Sequence, residues 1–227
     1  MTFSIAARCP RSGEFGIAVS SSSPAVAARC AHARAGVGVV ATQNITDPTL
    51  GPKGLDLMAT GLSAAEALAA LRATAGHIEY RQLALVDAHG GTAAFSGTKT
   101  LGTHHAAAGP GVVAAGNMLK TAAVPEQMVA AFRALEALPL GERLVRAMQA
   151  GLAAGGEAGP VHSAGLLVVR DVAWPVADLR VDWHETDPIG ALAGLWAMWA
   201  PQMDAYVTRA LDPSTAPSYG VPGDPGR

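Results

Sequence analysis

The chain has 227 residues, 50% of them hydrophobic, and sets 16 Lys and Arg against 18 Asp and Glu for a formal charge of −2. That composition fills a sizeable core and excludes disorder over most of the length, while the balanced charge excludes strong steering toward nucleic acid or an anionic membrane. The longest apolar run, Ile189 to Ala200, is 12 residues and is followed by Gln202, Asp204 and Arg209, too short to cross a bilayer. Only Cys9 and Cys30 occur and no apolar leader precedes Thr2, so the expectation is a reduced, cytoplasmic protein that binds a small molecule or peptide and no nucleic acid or membrane.

From Thr2 to Arg8, Phe3, Ile5 and Ala7 alternate with Thr2, Ser4 and Ala6, and Pro10-Arg11-Ser12-Gly13 supplies turn chemistry before Phe15 to Ser20. This predicts a β-hairpin. With a four-residue loop, Cys9 faces Glu14 and Thr2 lies opposite Ser21. Gly36 to Gln43 reads as a third strand, and Asp47, Pro48, Gly51, Pro52 and Gly54 as a loop entering a helix near Leu55. A second helix opens at Ser63-Ala64-Ala65-Glu66, where the serine accepts from a free backbone N–H and the glutamate reaches back, and stops at Gly76.

Arg81 to Asp87, Thr92 to Gly97, Leu101 to Ala108 and Val112 to Ala115 follow as a meander, with turns at His89-Gly90-Gly91 and Gly109-Pro110-Gly111. Pro125 to Leu135 and Glu142 to Ala154 carry helical spacing, with Pro139 between them; Ser163 to Arg170 and Asp178 to Asp182 return to strand. Pro188 to Leu211 is rich in helix formers, but Pro201 inside it kinks the helix or divides it in two. The expected organisation is one α+β domain over residues 1–211, with 187–211 as its C-terminal helical segment and 212–227 as a disordered tail rich in proline and glycine. Two mostly antiparallel sheets between helical layers satisfy this order and explain why many strands are small and apolar throughout.

Thr2 follows the initiator methionine, and its small side chain suits the aminopeptidase that removes Met1. Excision would leave one residue carrying both a hydroxyl and a free amine, a nucleophile with its own base, since an α-amino pKa of about 7.7–8.0 leaves a useful unprotonated fraction. Many unrelated proteins begin Met-Thr, so position alone says little. The segments MTFSIAAR, SGEFGIAVSSSS, RAGVGVVATQ, GPKGLDLMATGLSAAEAL, RQLALVDAHG, AAGNML, HSAGLLVV and DLRVDWH together resemble the domain of unknown function 1028 family, across most of Thr2 to Asp187. That family is grouped with the N-terminal-nucleophile (Ntn) hydrolases. The resemblance implies a four-layer αββα sandwich with Thr2 at the end of a cleft between the sheets, and attack on an amide-like C–N bond without a cofactor or metal.

Other site residues are expected around Thr2. Asn117, in Gly116-Asn117-Met118, has an amide that could donate to a developing oxyanion. Ser21 and Ser22 border Thr2 by the hairpin register, Gln43 and Asn44 end the third strand, and Lys53 stands where the family resemblance leads us to expect arginine. Gly159-Pro160-Val161-His162 departs from the basic residue and glutamine expected before Ser163-Ala164, which puts substrate contacts from that stretch in doubt. Gly36-Val37-Gly38 lacks the third glycine and helix of a dinucleotide site, His104 and His105 point to opposite faces of a strand, and Asp182, His184 and Asp187 lack a second ligand cluster. Cys9 and Cys30 read as buried small hydrophobes, and Trp196 with Trp199 as a core face or a subunit interface of a homo-oligomer. The function expected is amide hydrolysis through Thr2; the alternative is a ligand-binding or oligomeric scaffold protein that keeps the Ntn fold without its chemistry.

Overall fold

The computed structural model describes residues 1–221 and 223. In chain order its strands and helices are β1 (Thr2–Arg8), β2 (Phe15–Ser21), α1 (Ala27–Cys30), β3 (Ala31–Arg34), β4 (Gly38–Asn44), α2 (Leu50–Ala59), α3 (Ala64–Thr74), β5 (Arg81–Asp87), β6 (Thr92–Ser96), β7 (His105–Gly109), β8 (Val112–Asn117), α4 (Val124–Ala134), α5 (Leu140–Ala153), β9 (Ser163–Val169), β10 (Ala177–Val181), α6 (Pro188–Trp199) and α7 (Met203–Leu211). Two antiparallel sheets result, a six-stranded one ordered β10-β9-β2-β1-β8-β7 and a four-stranded one ordered β3-β4-β5-β6.

The first hairpin has the register its turn length dictates. Thr2 pairs with Ser21, Arg8 with Phe15, and the Cys9 N–H donates to Glu14 O at 2.8 Å. Alternation along β1 then sorts its side chains. Phe3, Ile5 and Ala7 join Met128 and Phe132 of α4 and Leu144 and Met148 of α5 in one apolar cluster. From the opposite face, Ala6 joins Ile17, Val113 and Ala115 of the same sheet and Val39, Ala41, Ala84 and Val86 of the second sheet. The second sheet's outer face carries Val40, Leu83 and Leu85, which pack with Leu50, Leu55, Leu68 and Leu71 of α2 and α3. Most strands are therefore buried on both sides, which is why they lack a polar face.

Several expectations need correction. The predicted meander is divided between sheets: β5 and β6 belong to the second, β7 and β8 to the first. Residues 97–103 make the crossing and do not extend β7, because their backbone groups are taken by turns and by neighbours: the Thr100 N–H donates to Gly97 O, the Lys99 N–H to Glu79 O, and Leu101 O accepts from the Met118 N–H. α2 begins at Leu50, earlier than expected, because Pro52 sits in a first turn that has no use for its missing N–H. α1 and β3 were not anticipated; AARC and AHAR are too short to show a period. Ser63 and Glu66 form the reciprocal cap of α3 as the spacing requires, and Pro201 divides the last helical segment into α6 and α7. After α7 the chain continues as turns, with Tyr219 against Tyr206 and its ring 3.8 Å from the Arg209 guanidinium carbon. Residues 222 and 224–227 of the expected tail lie outside the described residues.

α6 is held to α5 at one tight point. Gly141 faces the Trp196 indole so closely that an added Cβ would lie 2.3 Å from the ring. A rigid indole cannot give way as a flexible side chain does. We expect Gly141→Ala to lose about 1–3 kcal/mol of stability with altered tryptophan fluorescence; urea unfolding with an unchanged midpoint would show that α6 does not depend on this contact.

Candidate active site at the start of the central strand

The same alternation that turns Ala6 toward the second sheet turns Thr2 and Ser4 that way too, together with their cross-strand partners Ser21 on β2 and Asn117 on β8. Gln43 on β4 and Gln82 on β5 share a face with Ala41 and Ala84, so they look back across the gap. One end of the layer between the sheets is thus polar, although it is sealed from water: Ser4, Ser21, Gln43, Gln82 and Asn117 are all at most 1% exposed. Buried polar groups need partners. Ser4 Oγ donates to Gln43 Oε1 (2.8 Å), Gln43 Nε2 to Gln82 Oε1 (2.8 Å), and Asn117 Nδ2 also to Gln82 Oε1 (3.1 Å). Gln82 Nε2 closes the network on Ser96 Oγ and Gly116 O, each at 2.9 Å.

Thr2 lies at the rim of this network. Its Oγ1 donates to the carbonyl of Met1 at 2.5 Å, and Ser21 Oγ donates to the same oxygen at 2.5 Å; the two hydroxyl oxygens are 3.4 Å apart. Ser21 Oγ in turn accepts from the Ser23 N–H (3.2 Å). Ser163 fixes this turn, its Oγ donating to Ser23 O and accepting from the Val26 N–H.

A carboxylate that the sequence reading missed spans the end of β1. Glu157 bridges to Leu119 just past β8, and its Oε2 accepts from the Ser22 N–H at 3.2 Å just past β2. These two contacts continue the strands on either side of β1. Glu157 therefore lies across the point where the chain enters its central strand. It is 4% exposed and its Oε1 has no hydrogen-bond partner. Burial pushes its carboxyl up to about 8, against the pull of the chain's α-amino group and the Ser22 N–H. The Met1 side chain rests on the next turn, where a Cβ at Gly159 would lie 2.8 Å from Met1 Cε.

Of the residues expected from the sequence, Thr2, Ser21, Gln43 and Asn117 come together in this cluster, and Ser22 joins through its backbone N–H. Asn117 commits one of its amide hydrogens to Gln82, while its Oδ1 is buried without a partner. Asn44 is not part of the cluster. It ends β4 with φ 75°, donating to Tyr80 O and accepting from the Leu101 N–H, a loop-closing role. Lys53 is exposed in the first turn of α2, where it acts on Asp47 and shares no bond with the cluster. The stretch before Ser163 does border Thr2, since the His162 N–H donates to Ser21 O (2.8 Å) and the imidazole stacks on Trp183. Asp187 caps α6, and His184 Nδ1 accepts from the Asp187 N–H. Both cysteines are buried and unpaired, and Trp196 is core.

A model of a family of unknown function, DUF1028, matches residues 2–192, which includes the whole cluster. The chain belongs to the DUF1028 family. The crystal structure of protein SPO2555 from Silicibacter pomeroyi, also of DUF1028, superposes with a TM-score of 0.81 at 30% identity, covering 87% of this chain and 88% of that one. Anbu (ancestral beta-subunit) from Yersinia bercovieri aligns with a TM-score of 0.39 at 12% identity over 90% of this chain and 97% of its own. No curated protein matches. Among the described residues no helix is long and apolar enough to cross a membrane.

The buried carboxyl of Glu157 gives a pH signature in the Met1-bearing chain. Unfolded, the group ionises near its ordinary 4.5; folded, it keeps its proton up to about 8. Between those values the folded state holds the extra proton, so this group's contribution makes stability fall as pH rises through the window. Glu157→Gln is expected to remove that slope and to be more stable than the parent at pH 8 by a few kcal/mol. Urea unfolding at pH 5 and pH 8 measures it; equal slopes in both proteins would contradict a protonated Glu157.

Proposed function

We propose that this DUF1028 protein is an Ntn-type hydrolase of an amide-like C–N bond in a small molecule or peptide, with Thr2 as nucleophile once Met1 is removed. The observation that carries the reading is the convergence of the Thr2 and Ser21 hydroxyls, both 2.5 Å from one carbonyl oxygen, at the start of the sheet's central strand. The succession α4–α5, first sheet, second sheet, α2–α3 supports a four-layer αββα sandwich, the architecture that the family's grouping with the Ntn hydrolases implies.

The chemistry follows from what excision of Met1 would leave. The Thr2 nitrogen becomes an amine and takes the Oγ1 proton, directly or through a water, as Oγ1 attacks the acyl carbon. Negative charge then develops on the former carbonyl oxygen. Ser21 Oγ–H is the nearest donor for it, with the second amide hydrogen of Asn117 as a further candidate. Collapse expels the amine product, which takes its proton from the Thr2 ammonium, and water hydrolyses the Thr2 ester with the amine acting again as base. Glu157, facing the start of β1, would hold the ammonium form and fix the nitrogen's position.

A second reading, a ligand-binding protein of this fold, would be favoured by a chain that retains Met1. There the Thr2 nitrogen is an amide and cannot act as a base, and the carbonyl of Met1 already occupies both hydroxyls.

Intact mass of the purified protein, followed by reaction with a β-lactone, separates the two. Loss of one methionine and a single acyl adduct on Thr2 are expected, with Thr2→Ala abolishing both the adduct and any amidase turnover found by substrate screening. Thr2→Ser should keep the adduct. Turnover by a preparation that retains Met1 would rule out this mechanism.

A further inference from the structure

At the other end of β1 a different chemistry collects. Arg8 ends the strand as Thr2 begins it, so the two stand about 20 Å apart at the rise of a β-strand. Three turns meet at that end: the β1–β2 turn, the Gly109-Pro110-Gly111 turn between β7 and β8, and the connection between α4 and α5. Between them lies a cavity of about 170 Å³ whose lining includes Arg8, Arg11, Arg133 and Arg143, with Glu136 the one acidic residue. Four of the chain's 16 basic residues thus surround one small space in a protein whose net charge is negative.

Glu136 and Cys9 are favourable neighbours of Arg143, but among the described residues no carboxylate reaches any of these four guanidiniums at ion-pair distance. Arg143 is 4% exposed, a position in which arginine is almost always paired with a carboxylate. Here its Nε and Nη2 both donate to Phe132 O at 3.2 Å and its plane lies 3.8 Å over the Phe132 ring. Both contacts aim the guanidinium and neither neutralises it. Arg8 Nε is buried with no hydrogen-bond partner. Arg11 is tied across to Leu138 O, which draws the hairpin turn to the helix connection. Beside the cavity, burial alone would raise the Cys9 thiol, yet hydrogen bonds from Ser12 and Arg11 hold it below its ordinary pKa.

The geometry points to a binding site for a phosphate-sized dianion, inorganic phosphate or the phosphoryl group of a small ligand, held by Arg8, Arg133 and Arg143. Guanidinium forks match the oxygens of a phosphoryl group, and the cavity is too small for an extended acidic peptide. Four positive charges against one carboxylate leave an excess of three, more than enough to balance a dianion. A bound dianion would cross-link β1, α4 and α5, so occupancy stabilises the fold from the end opposite Thr2.

The test is calorimetric titration of the full chain with inorganic phosphate, paired with thermal melts. Saturable one-to-one binding is expected, with a rise in melting temperature beyond that given by chloride at matched ionic strength. Arg8→Gln and the exposed Arg133→Gln should each weaken binding roughly tenfold, the scale of one charge-assisted hydrogen bond. Arg146→Gln, paired with Glu142 outside the cavity, and Thr2→Ala should leave it unchanged. A phosphate effect reproduced by chloride, or binding undiminished in Arg133→Gln, overturns the site. Acetate binding as tightly as phosphate overturns its assignment to a dianion.

Discussion

The structure depends on the register of β1 between β2 and β8. Because side chains alternate at a period of two, a shift of one residue would send Phe3 and Ile5 into the layer between the sheets and Thr2 and Ser4 into the helix-facing core. Both exchanges are costly. The helix side holds Met128, Phe132 and Met148, which offer a hydroxyl no partner, and the inter-sheet side is already filled by Phe15, Ile17 and a set of valines and alanines, so two more large side chains would overpack it. One register therefore buries the core and gathers the polar cluster together.

The network from Ser4 through Gln43 and Gln82 to Asn117 works under the same constraint. In a medium of low dielectric each bond is strong when made and each omission expensive. The interior part is closed, with Gln82 at its centre making bonds through both ends of its amide. The loose ends lie at its rim, where Asn117 Oδ1 and Glu157 Oε1 are buried and unbonded beside the start of β1. Satisfied polar groups hold the two sheets in place, and the unsatisfied ones collect near the start of β1.

How much of this was legible in the sequence follows from the range of the forces involved. The first hairpin, the Ser63–Glu66 cap and the break at Pro201 are local, set by turn length, side-chain reach and a missing N–H, and they read directly. The crossover between β6 and β7 is not local; nothing in Leu101 to Ala108 tells one sheet from another. The same holds within the site. Ser21 was found because a hairpin register is arithmetic, whereas Gln82 meets Gln43 and Asn117 only when two sheets stack. Glu157 left one trace, a lone acid among small residues in Gly155-Gly156-Glu157-Ala158-Gly159, and its neighbours at Ser22 and Leu119 are too distant in sequence to point to it.

Met1 gives these observations their energetic meaning. While attached, it offers one carbonyl to two hydroxyls and rests its side chain on the turn at Gly159. Under the proposed reading its removal leaves Thr2 Oγ1 and Ser21 Oγ without that acceptor, beside a carboxyl that already lacks a partner on one oxygen. Such a site is less stable than a closed network of the same atoms, and proteins keep arrangements of this kind where function needs them. The new Thr2 ammonium would also change Glu157. A buried acid with one unbonded oxygen would then have a new cation beside it, and the pair would fix the position of the nitrogen that must act as base. Under that reading, loss of one residue would convert a closed chain terminus into an amine and a hydroxyl on the same residue, beside the Glu157 carboxyl.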